Sequence, residues 1–119
     1  MIDELDLKEL TSAMLVGVTV GVGSQVLIFG NGVTVLMQCP FRCNKGGEQW
    51  GHGEEPATGA LVFDFLNHKI ERACFEVEGE LALDFGEVGS LVIVPDSNGL
   101  ESYVLTTRFG ITPVSVILG

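Results

Sequence analysis

Basic residues are what this chain most lacks. Six Lys and Arg stand against sixteen Asp and Glu, for a formal charge of −10 at pH 7. Nucleic acid and anionic membrane surfaces attract the opposite sign, so both are set aside as partners. Aromatic residues suited to a carbohydrate cleft are few, with one Trp and one Tyr among 119 residues. No apolar run comes near the roughly 18–20 residues that span a bilayer. Cysteine is scarce too. Cys39, Cys43 and Cys74 are an odd number, in a chain long enough to bury a core without staples, so reduced and partly buried thiols are expected. The opening MIDELDLKEL is acidic where a signal peptide would be basic and then apolar. These absences predict a cytoplasmic protein folded as a single domain over 1–119.

Apolar residues make up 46% of the chain, which is a globular composition. They are arranged in two similar halves, about 3–41 and 55–95, followed by a hairpin over 102–118. LTSAMLVGVTV (10–20) and ALVFDFLNHKI (60–70) each read as the end of an amphipathic helix. Gly17 and Asn67 would close those helices in the left-handed conformation. QVLIFGNGVTVLM (25–37) then lines up with LALDFGEVGSLVIV (81–94), with a Phe-Gly pair at the same place. The spacing grows from 50 (17 to 67) to 56 (29 to 85), which predicts a few inserted residues around Glu76–Gly79.

Asp3 can cap the first helix, with Leu7, Leu10 and Met14 on one face. Glu54-Glu55-Pro56 opens the second, with Leu61, Phe65 and Leu66 as its apolar face. Strands are expected at 18–22, 25–30, 33–41, 70–77, 80–85, 90–95, 102–108 and 111–117, with Asn31-Gly32 as the clearest hairpin turn. The Gly-rich stretch 42–59 reads as a long surface loop carrying Trp50. The expected fold is α+β: a mostly antiparallel sheet of about six to eight strands with two short helices.

FEVEGELALDFGE (75–87) gathers Glu76, Glu78, Glu80, Asp84 and Glu87 without a single base. If the pleat continues through a turn at Gly79, Phe75, Val77, Leu81, Leu83 and Phe85 face the core, and Glu76, Glu78, Glu80 and Asp84 face away. Like charges on neighbouring strands cost roughly 0.2–1 kcal/mol a pair, so a solvated face would tolerate them. They would equally make a docking surface for Lys and Arg.

Motifs that carry chemistry are missing. Cys39 and Cys43, spaced C-x3-C with His52 nearby, lack the second pair that a tetrahedral zinc site needs. Cys43 lies beside Arg42 and Lys45 but has no evident catalytic base. The glycines of GVTVGVGSQ (17–25) have neither the spacing nor the Lys of a phosphate loop and read as a turn. No D-x-D-x-D-G calcium loop is present. A protein that is not an enzyme, with no cofactor and no metal, is the expectation.

Two stretches carry a resemblance. MLVGVTVGVGSQVLIFGNGVTV (14–35) and PDSNGLESYVL (95–105), with Asp96-Ser97 and Glu101-Ser102-Tyr103, resemble small acidic bacterial proteins encoded beside polymorphic toxins, the immunity proteins of contact-dependent growth inhibition among them. The resemblance covers about two-thirds of the chain, and its motifs are structural and not catalytic. It implies an immunity protein that neutralises a cationic toxin domain, taken to be a nuclease because such clefts must hold phosphates. Glu76, Glu78, Glu80, Asp84 and Glu87 would engage the basic cleft, and Trp50 would supply an apolar anchor. The alternative is a small ligand-binding module, or a homodimer joined through apolar edge strands such as 111–117.

Overall fold

The computed structural model describes residues 1–117. Ten strands form two five-stranded antiparallel sheets, accompanied by one α-helix and two 3₁₀ segments, an α+β fold with slightly more strands than expected. Helix α1 (Glu4–Leu10) opens with a capping box: Asp3 accepts from the Asp6 backbone, and Asp6 accepts from the Asp3 backbone. It ends at Leu10 and does not reach Gly17. Val16, Val18, Thr19 and Val20 are β-branched, and they form β1 (Leu15–Val20) instead. Strands β2 (Gln25–Phe29) and β3 (Thr34–Met37) follow as a meander.

The expected strand 33–41 is two strands in different sheets. β3 stops at Met37, and β4 (Pro40–Asn44) begins after Gln38 and Cys39. Gln38 N still donates to Ser102 in the first sheet, whereas the Cys39 and Pro40 carbonyls already accept from Gly53 and Val94 in the second. Val33, Val35, Met37, Cys39, Phe41 and Cys43 stay buried throughout, so the alternation carries no mark of the crossing. The expected 42–59 loop is also replaced: β4 runs on to Asn44 and pairs with β5 (Glu48–His52).

The second expected helix is a 3₁₀ segment, Pro56–Phe65. Its buried residues are Gly59, Val62 and Phe65, spaced by three as a 3₁₀ turn requires, in place of a face of Leu61, Phe65 and Leu66. Gly59 allows the close approach, because a Cβ there would stand 2.7 Å from a Val20 methyl. Strands β6 (Arg72–Phe75), β7 (Leu81–Asp84) and β8 (Ser90–Ile93) form a second meander, and β9 (Asn98–Thr107) and β10 (Gly110–Ile117) a final hairpin. Position 118 of the expected hairpin lies outside the described residues.

The two sheets repeat one another. Strand order β1-β2-β3-β9-β10 matches β6-β7-β8-β4-β5, so each half contributes a meander to one sheet and sends its hairpin to the other. The pairing of Gln25 with Met37 recurs 56 residues on (25 to 81, 37 to 93) as Leu81 with Ile93. The halves meet where 12–15 runs antiparallel to 67–70, with Ser12 N to Ile70 O at 2.7 Å and Asn67 N to Leu15 O at 2.8 Å. Ser12 (φ 71°) and Asn67 (φ 68°) are the non-glycine residues with positive φ among those described. The counterpart of Asn67 is therefore Ser12, not Gly17, which sits inside β1 opposite Ile28.

Inward side chains of both sheets share one core, including Leu15, Leu27, Phe29, Phe41, Leu81, Leu83 and Leu91. The β6–β7 turn is fixed to that core from the other sheet. The buried Tyr103 hydroxyl of β9 donates to the Gly79 carbonyl at 2.7 Å. Tyr103→Phe leaves this buried carbonyl without its partner and is expected to cost about 1–3 kcal/mol. Urea melts would show the loss, and the amides of 76–80 should exchange faster.

Candidate functional site

Two register rows of side chains make up the outer face of the second sheet. One runs Glu48, Asn44, Ser90, Asp84 and Arg72; the other runs Trp50, Arg42, Val92, Ala82 and Cys74. Small side chains at Ala82 and Ser90 leave the middle of the face low. A shallow depression of about 520 Å³ results, lined by Glu76, Asp84, Glu87, Arg72, Lys45 and Cys74 among others. A second, of about 380 Å³, shares Glu76, Ala82 and Val92 with it and adds Glu78, Glu80 and Arg42.

The carboxylates singled out in the sequence are thus brought to one face. Glu76 and Glu78 are exposed in the β6–β7 turn, which is closed by Glu76 N to Glu80 O at 2.8 Å and Gly79 N to Glu76 O at 3.0 Å. The pleat does not run unbroken through this turn. Val77 stands fully exposed at its tip, and Phe75 is only partly buried, whereas Leu81, Leu83 and Phe85 do face the core. Glu80 is half-buried, 4.0 Å from Arg42 Nη2. Asp84 is exposed, and its Oδ1 accepts from Gly86 N at 2.8 Å. Glu87 projects from the one-turn segment Gly86–Val88. Among the described residues, the side chains of Glu76, Glu78 and Glu87 have no hydrogen-bond or ion-pair partner.

Trp50 is on edge strand β5 and not in a loop. It is 51% exposed, and its Nε1 donates to Glu48 at 2.8 Å. The Arg42 guanidinium lies 5.5 Å from the centre of its ring, within the range of a cation–π contact. Three bases that the local acidic run did not reveal border the same face. Arg72 is opposite Asp84 in the register, and Arg42 reaches towards Glu80. Lys45 turns away to Asp64 at 2.7 Å and the Leu61 carbonyl at 3.0 Å, which tethers the 3₁₀ segment. The face therefore presents unpaired carboxylates around a partly neutralised centre, with an aromatic ring at one edge. Such a surface can bind a cationic partner; it holds no nucleophile paired with a base.

Cys74 lines the depression, whereas Cys39 and Cys43 are core residues. No three of His, Cys, Asp and Glu stand close enough to share a metal among the described residues. Burial, with Asp96 adding to it, pushes the Cys39 thiol up to about 12, and burial pushes Cys43 up to about 11. Unfolded, these thiols ionise near their ordinary value of 9.0, so above that pH the unfolded chain holds fewer protons than the folded one. Their contribution to stability is complete below pH 9 and declines as pH rises towards 11–12. Urea midpoints should accordingly be flat between pH 7 and 8.5 and fall by pH 10.5, and less so in Cys39→Ala. At pH 8 a thiol reagent should label Cys74 in the folded protein, and the other two only after unfolding.

No protein-family model matches this chain, and neither a curated protein nor a solved structure matches it. No helix is long and apolar enough to cross a membrane among the described residues.

Proposed function

We propose that this protein is an immunity protein, which neutralises a cationic bacterial toxin domain of nuclease type by occupying its basic cleft. One observation carries the reading: Glu76, Glu78 and Glu87, all unpartnered, crowd with Glu80 and Asp84 around two adjoining depressions on one sheet face. Folding gains nothing from like charges placed so closely. A partner that supplies Lys and Arg turns that repulsion into attraction, speeds encounter and selects against acidic competitors. The two depressions would admit basic side chains. Trp50, exposed at the face's edge and stacked by Arg42, would add apolar contact area. The resemblance of 14–35 and 95–105 to small acidic bacterial proteins of the kind encoded beside toxins suggests the class of partner. No catalytic step is needed, because blocking the cleft suffices.

The test is co-expression with the C-terminal domain of whatever protein the adjoining upstream reading frame encodes. Growth arrest by that domain alone, relieved by this protein, with the two co-purifying, is the expected result. Arrest that persists with no complex would overturn the reading.

A further inference from the structure

We infer that the outer face of the first sheet is a self-association surface, on which a second copy of this chain packs face to face about a two-fold axis. The internal repeat makes the observation possible, because each sheet provides the control for the other. On the outer face of the second sheet stand Glu48, Arg42, Asp84 and Arg72. The corresponding rows of the first sheet run Gly17, Ile28, Thr34, Thr106, Ile111 and Thr19, Val26, Leu36, Val104, Pro113. None of the ten is charged. Where Asp84 stands in one sheet, Ile28 stands in the other (28 to 84), and where Arg42 pairs with Val92, Val104 pairs with Leu36. Thr19, Ile111 and Pro113 are exposed, Ile111 by 71%, and the other seven are partly exposed.

Charge decides the occupant. A chain of net −10 repels its own copies wherever acidic surfaces meet. Across a two-fold axis each residue near the centre faces its own kind, so a self-complementary interface must be free of net charge there. This face meets that condition, and the acidic face does not. A basic partner would find nothing here to pair with. Size agrees. Five strands about 4.8 Å apart and about 20 Å long give a footprint of roughly 500 Å² with side chains, so about 1,000 Å² for the pair, the lower bound for a specific contact. The dimer is therefore a weak, concentration-dependent one. Edge-to-edge pairing through β10 is disfavoured, because Pro113 lies within that edge strand and offers no backbone N–H.

Sedimentation velocity of the full chain from about 5 µM to 1 mM, in 50 and 500 mM NaCl, tests this inference. The expected result is a monomer–dimer equilibrium that salt strengthens, since salt screens the repulsion between two anionic chains. Ile111→Asp, at an exposed edge position, should weaken the dimer at least tenfold while circular dichroism and the melting temperature stay unchanged. Val104→Lys at the centre should abolish it. If either lowers the melting temperature, Thr106→Glu serves in its place. A monomer at every concentration and salt would overturn the inference. So would a dimer that survives these changes, or one that salt disrupts and Glu78→Lys alters. The proposed immunity function stands or falls separately, because its face is on the other sheet.

Discussion

Gly53→Ala is expected to destabilise the protein by about 3 kcal/mol or more, among the largest effects of any single methyl group in the fold. Gly53 follows β5 and donates its N–H to the Cys39 carbonyl at 2.9 Å. A Cβ at this position would overlap the backbone carbonyl of Met37 and come within 2.9 Å of Gln38 N. Those atoms belong to the crossing where the chain leaves the first sheet for the second, and they cannot swing aside like the end of a flexible side chain. Relief would require β5 to move off β4, which carries Arg42 and Phe41. Gly47→Ala is the control: nothing lies within 4 Å of its Cβ, and the change should stay within about 0.5 kcal/mol. Chemical denaturation of the two variants decides the matter. Equal stabilities would show that the crossing is not as tightly packed as described.

The second large effect concerns binding. Reversal of Glu76, Glu78 and Glu87 to Lys moves the net charge from −10 to −4 and should weaken the complex with the cationic partner by at least about a hundredfold, roughly 2.8 kcal/mol. These three are chosen because their side chains hold nothing within the protein. Asp84 accepts from Gly86, and Glu80 is beside Arg42, so changes there would mix folding with recognition. The triple variant should fold as well as the parent or slightly better, since it removes like-charge crowding. Isothermal titration against the partner reads the affinity, and thermal melting guards the interpretation. An affinity unchanged within a factor of two would exclude this face as the contact.

Much of the fold was legible wherever a strand's signal is local. The inward alternation of 81–85 places Leu81, Leu83 and Phe85 in the core, where they are found. The helical spacing of Leu7, Leu10 and Met14 carries the expected helix past the true end of α1, because the β-branched run that follows outweighs it. The crossing at Gln38–Cys39 was invisible because inward alternation continues through it. β5 leaves no local signal for a different reason. Its inward position is Gly51, seated beneath the Phe41 ring where no Cβ fits, so EQWGH shows no apolar alternation at all. The site divides in the same way. Its carboxylates are neighbours in sequence and could be read together. Arg42 and Trp50 join them only through the pairing of β4 with β8 and β5, which no local pattern announces.

The measurement that bears most directly on the central claim is the dissociation constant of the complex across a salt series, from 50 to 500 mM NaCl, with Trp50 fluorescence as the signal. Recognition through the carboxylates of the second sheet predicts an affinity that falls at least tenfold over that range, with a change in Trp50 emission on binding. An affinity indifferent to salt, with Trp50 emission unmoved, would contradict it.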